Sequence, residues 1–209
     1  MSTEWSRQPT PIRTFVMVCV VLELIAFVAQ MVGFGTQVRN VMIAFGGFWP
    51  GALRGGLELY PGQAILMFAT SVVLHGGLLH LFMNMVGLMW LGPMVYARVR
   101  QSTFLLIIGL SALGSGFAYA GLSQSGAPMV GASGVLFGLV GVLGFWELRD
   151  RLVARSGVDL LLKQALALLA LNVVFSFLAG GVVAWQAHLG GVLAGSMCGA
   201  VTWRRRRVR

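Results

Sequence analysis

The sequence predicts an all-α, polytopic membrane protein: six transmembrane helices in a bundle, with a long membrane-associated loop after the first. Three observations carry this expectation. Of 209 residues, 57% are hydrophobic and 10% charged, with a mean hydropathy of +0.85; a water-soluble domain carries about 25% charged residues. Apolar stretches long enough to cross a bilayer recur along the chain. The basic residues gather on one side of those stretches, as cytoplasmic loops do in membrane proteins.

A helix needs about 20 apolar residues to cross the hydrocarbon. Segments of that kind run at roughly 14–34, 77–96, 102–122, 133–149, 161–180 and 184–203. The first is long enough to span and has no small-residue cleavage site behind it, so it reads as a retained helix and not a signal peptide. Between 35 and 76 the pairs Gly46-Gly47, Gly55-Gly56 and Pro61-Gly62, with Pro50, break helices. The apolar piece 64–74 is too short to span. This region reads as a large loop with short helices in or on the outer leaflet, although hydropathy alone also allows a seventh span.

Charge decides between six and seven. Arg7, Arg13, Arg98, Arg100, Arg149, Arg151, Arg155, Lys163 and the arginine tail fall on one side, thirteen of the fifteen basic residues. Only Arg39 and Arg54 lie outside, in the long loop, and the loops 122–131 and 180–186 carry no charge. Six spans satisfy this pattern and seven would scramble it. Both termini are then cytoplasmic, with short tails at about 1–13 and 204–209 around a single membrane domain covering 1–209. The net charge of +9 follows from topology. No basic stripe with interleaved aromatics suggests a nucleic acid partner. Cys19 and Cys198 lie in apolar spans with no Cys-x-x-Cys or Cys/His cluster, so neither structural zinc nor another metal is expected.

Polar residues of hydrolytic type sit inside this apolar sequence, where they are costly to keep. Gly131-Ala132-Ser133-Gly134 opens the fourth span after an uncharged loop. Ser133 is thereby set at a helix N-terminus, which favours an alkoxide or oxyanion. A bland alternative is that it caps or packs the helix. In the last span His188, Gly191, Gly195 and Gly199 share one face. Packing that face on Gly134, Gly138, Gly141 and Gly144 of the fourth span would bring Ser133 and His188 together. The alternative for His188 is a lone histidine bonded to a carbonyl. None of the six acids neighbours His188 in sequence, so the expectation is a Ser–His dyad. His80 and Asn84 are one helical turn apart and can donate hydrogen bonds, either to an oxyanion or as interhelical glue. His75, at the loop–helix junction, reads as structural. Together these residues point to proteolysis inside a membrane.

At these positions the chain resembles the rhomboid family of intramembrane serine proteases, in its minimal six-span bacterial form. The matching residues are His75-x4-His80-x3-Asn84, then Gly131-Ala132-Ser133-Gly134 with Phe137-Gly138, then His188-x2-Gly191-x3-Gly195. The resemblance implies Ser133 as nucleophile and His188 as base, with His80, Asn84 and the Ser133 backbone N–H as oxyanion donors. It implies that the Phe137 ring packs on the catalytic histidine. It also implies cleavage of transmembrane substrates near their outer ends in a bacterial plasma membrane, with no cofactor or metal. Many relatives carry Trp-Arg in the first loop and an acid near the inner end of the second span. Here Leu66-Met67 and Tyr96 take those places, so the polar ties bracing the loop must differ. Two other readings are a catalytically silent relative that binds membrane clients and a small transporter. The intact serine, histidines and asparagine argue against the first, and the lack of paired broken helices against the second.

Overall fold

The computed structural model describes residues 2–56, 58–178 and 184–204. A short helix α1 (Ser2–Arg7) precedes α2 (Thr10–Ala29), which runs into a wide π-type turn over Gln30–Phe34. The long loop folds into α3 (Gln37–Gly46), α4 (Pro50–Leu53) and α5 (Gln63–Thr70), the last ending in a 3-10 turn over Ser71–Val73. The remaining helices are α6 (Leu78–Tyr96), α7 (Gln101–Leu122), α8 (Ser133–Val153), α9 (Asp159–Leu178) and α10 (Trp185–Thr202).

The six long helices stand where the apolar segments predicted them. Residues Thr10–Phe34, Leu78–Tyr96 and Gln101–Leu122 are long and apolar enough to cross a membrane by themselves. In α8 the inner end carries Glu147, Arg149, Asp150 and Arg151, and α10 is rich in glycine, so their apolar signal is weaker. The first helix starts at Thr10, ahead of the expected edge, because Pro9 and Pro11 preset its first turn. Ile12, expected in a free tail, is instead fully buried against α6. The end of the predicted fifth span at 179–180, the loop through 183 and the tail from 205 lie outside the described residues.

The core is lined by Ile12, Val16 and Cys19 of α2, Leu81, Met85 and Leu88 of α6, Phe104 and Ile107 of α7, and Leu139, Val142 and Trp146 of α8. Outward faces are apolar too: Ile25, Val28, Leu79, Phe82, Trp90 and Phe117 are exposed. Such a surface suits lipid, where a water-soluble protein would show charge. In lipid the helices gain little from hiding apolar area, so association rests on close packing and interhelical hydrogen bonds. That requirement explains the centre of the bundle, where α10 is wedged between α7 and α8. A methyl group on Gly191 would strike the carbonyl of Gly134, and one on Gly195 that of Gly138. On the other side Gly190 meets the Gly114 carbonyl of α7. The expected glycine face therefore forms, with one correction: Gly144 meets no described neighbour within 4 Å. It has turned off the arc because the α10 contact drifts from Gly141 toward Val142 and Phe145.

Candidate active site

The glycine packing sets two side chains side by side at the N-terminal ends of α8 and α10. Ser133 Oγ and His188 Nε2 are 2.8 Å apart. His188 is buried, and the Phe137 ring, one turn below Ser133, stacks flat on it with centroids 4.3 Å apart and an interplanar angle of 11°. Ser133 is the first residue of α8, so its backbone N–H belongs to the set that a helix leaves without a partner. The structure thus brings Ser133, Phe137 and His188 together.

The loop before Ser133 is held from two sides. Phe48 of the long loop and Met129 exchange both backbone hydrogen bonds, each 2.9 Å, and the Gly131 N–H donates to the Ser71 carbonyl at 2.9 Å. Gly131 has φ 119°, in the left-handed region, and an added Cβ would lie 2.7 Å from His80 Cε1 and Nε2. Only glycine satisfies both the backbone and the space. The tip of the His80 ring thus faces the loop that carries Ser133. Its other nitrogen, Nδ1, accepts from the Gly76 N–H at 3.3 Å. An Nδ1 that accepts leaves the ring proton on Nε2, the edge toward Gly131.

Asn84 is buried but is not a free donor. Its amide Nδ2 donates to the His80 carbonyl one turn back, at 2.8 Å, and its Oδ1 has no partner among the described residues. One amide hydrogen is left. Glu23 of α2 is bound two-pronged by Arg39 at 2.7 Å for each contact. His75 is buried edge-on to the His80 ring, 5.2 Å between centroids. Burial pushes its pKa down to about 4, helped by the neighbouring His80 and Arg39 against an opposing pull from the Val73 backbone. No group of three metal-ligand side chains occurs among the described residues.

Some positioning residues escaped sequence reasoning. Ser115 of α7 donates to the Ala187 carbonyl, next to His188, at 2.6 Å. Ser111, one turn away, faces Gly138. The signal was present: Ser111, Gly114 and Ser115 repeat the small-residue spacing already noted in α8 and α10. The Arg39–Glu23 pair joins residues 16 apart in sequence, and no local pattern links them.

A glycine-locked helical bundle with many lipid-facing side chains defines a multi-pass membrane protein. Comparison with known proteins narrows the class. The Rhomboid domain family matches residues 62–205, and the chain belongs to the rhomboid family. It is 36% identical to RHOMBOID-like protein 5 of Arabidopsis thaliana over 135 residues, 63% of this chain and 42% of that protein. RHOMBOID-like protein 1 of the same plant is 31% identical over 154 residues, 72% of this chain and 38% of that one. Rhomboid protease GluP of Bacillus subtilis is 26% identical over 187 residues, 90% of this chain and 34% of GluP. The chain therefore spans about a third to two-fifths of these relatives.

Proposed function

We propose that this protein is an intramembrane serine endopeptidase that cleaves transmembrane proteins near the outer membrane face by a Ser133–His188 dyad. The observation that supports it most is the 2.8 Å contact between Ser133 Oγ and His188 Nε2 at the head of two helices in a lipid-facing bundle. In this reading His188 takes the Ser133 proton as Oγ attacks the scissile carbonyl, then delivers it to the leaving amine. In deacylation His188 takes a proton from the water that attacks the acyl carbonyl, then returns it to Ser133 Oγ as the ester bond breaks and the new carboxyl end leaves. Negative charge on the carbonyl oxygen is met by the Ser133 backbone N–H, His80 Nε2–H and the remaining Asn84 amide hydrogen, donors already held in place before reaction. Phe137 holds the imidazole plane by stacking. The chemistry calls for no cofactor or metal; the partners are the bilayer and membrane-spanning substrates, with no nucleic acid. Both termini lie on the cytoplasmic side of a bacterial plasma membrane, on the strength of the basic-residue distribution.

The test is cleavage of a single-span substrate by purified protein in liposomes. Ser133→Ala is expected to fold, keep its melting temperature and cut nothing. Turnover at the wild-type rate by that variant would sink the assignment. EDTA is expected to leave cleavage intact, and loss of activity restored by added Zn²⁺ would indicate a metalloprotease.

A further inference from the structure

We infer that Arg39 is a positioning residue for His80, acting through the single peptide group that joins His75 to Gly76. The inference rests on the proposed role of His80 as an oxyanion donor. Arg39 lies on α3 in the long loop, and its guanidinium is gripped by both Glu23 carboxylate oxygens of α2 at 2.7 Å. The same Nη1 that meets Glu23 also donates to the His75 carbonyl at 2.8 Å. That carbonyl belongs to the same peptide unit as the Gly76 N–H, which donates to His80 Nδ1 at 3.3 Å.

A peptide group is planar, with its C=O and N–H pointing in opposite directions. Fixing the carbonyl therefore fixes the amide. Flanking residues do little to hold this plane. Gly76 is exposed and Gly77 has φ 152°, so the turn into α6 has glycine freedom on its C-terminal side. Arg39 supplies the restraint. Its charge also polarises the peptide it binds, which strengthens donation from the Gly76 N–H. A strong donor at Nδ1 keeps that nitrogen unprotonated and the proton on Nε2, facing Gly131. Glu23 holds Arg39 and Arg39 holds the peptide, and through it one tautomer of one ring. A polar tie between the first span and the long loop thus reaches the reacting end of the bundle.

A brace without this function would stabilise the loop and leave the ring indifferent. The two are separated by ¹⁵N NMR of protein labelled at its histidines, of which there are three, with His80→Gln assigning the resonances. In the wild type the His80 ring is expected to be the Nε2–H tautomer. Arg39→Gln is expected to bring in the Nδ1–H form, lower kcat about tenfold and leave KM within about twofold, a partial loss of one oxyanion donor. The control is Arg54→Gln: Arg54 ties the same loop to the Ala120 carbonyl at 2.5 Å. That variant is expected to melt earlier with the His80 tautomer and kcat unchanged. An unchanged tautomer in folded Arg39→Gln overturns the inference, as does an equal shift in Arg54→Gln. Should Arg39→Gln not fold, Glu23→Gln decides: a smaller shift in the same direction supports the role, and none overturns it. Failure of wild-type protein to cleave or to label at Ser133 would sink the catalytic reading alone, because the tautomer comparison stands without activity.

Discussion

At the scale of single residues, the two side chains proposed as oxyanion donors differ in how free they are, and this orders their expected contributions. His80 presents an N–H toward Gly131 with its other nitrogen already engaged. Asn84 spends one amide hydrogen on the His80 carbonyl. Removing one well-placed oxyanion donor costs about 10²–10³ in turnover. His80→Ala is expected to fall in that range. Asn84→Ala is expected to lose roughly tenfold, below that range, and to retain measurable fluorophosphonate labelling. Rates for both variants, measured beside their melting temperatures, decide this. An Asn84→Ala protein that cleaves at the wild-type rate and only melts earlier would make Asn84 interhelical glue. The sequence made the residue types and their spacing legible because the chemistry needs Ser, His and amide in lipid. It did not reveal which hydrogens are occupied, since that depends on local bonds such as Asn84 to its own helix.

At the scale of elements, the glycines of α8 and α10 decide whether Ser133 meets His188. Gly195→Ala would push a methyl into the Gly138 carbonyl, an overpacking expected to cost about 1–3 kcal/mol and to slow labelling of Ser133. Gly109→Ala on the exposed side of α7, with nothing within 4 Å, is expected to stay within about 0.5 kcal/mol of wild type. Equal destabilisation by the two would show that the interface is not close-packed. The α8–α10 face was readable because spacings of three and four are set by helix geometry. The α7 face went unread because its serines look ordinary until Gly190 and Ala187 arrive from the distant α10. The loop element carries a pH prediction. Buried His75, faced by Glu23 of α2, Arg39 of α3 and His80 of α6, is held neutral when folded, with a pKa near 4 against 6.5 for a free imidazole. The unfolded chain therefore binds more protons between those values. Stability from this group is complete above about pH 6.5 and is lost as pH falls toward 4. Melting temperatures across that window should drop less in His75→Gln than in wild type; parallel curves would show that His75 does not contribute.

At the scale of the whole molecule, the bundle combines an apolar exterior with the Ser133–His188 pair at one end. Basic residues and apolar runs revealed the six long helices, since crossing a bilayer constrains every residue of a span. The long loop was legible only as short helices between Gly and Pro breaks. Its ties were not, because Glu23 to Arg39, Arg54 to the Ala120 carbonyl and Phe48 to Met129 are tertiary pairings with no local signature. The loop is braced by these pairings against α2, α7 and the segment before α8. The proposed chemistry depends on activation of one serine by one histidine. A fluorophosphonate reacted with the folded protein in detergent, and mapped by peptide mass spectrometry, tests it most directly. A single adduct on Ser133 is expected, abolished in Ser133→Ala and reduced to background in His188→Ala with both variants still folded. An adduct on Ser111 or Ser115, or wild-type labelling of Ser133 in the His188→Ala protein, would contradict it.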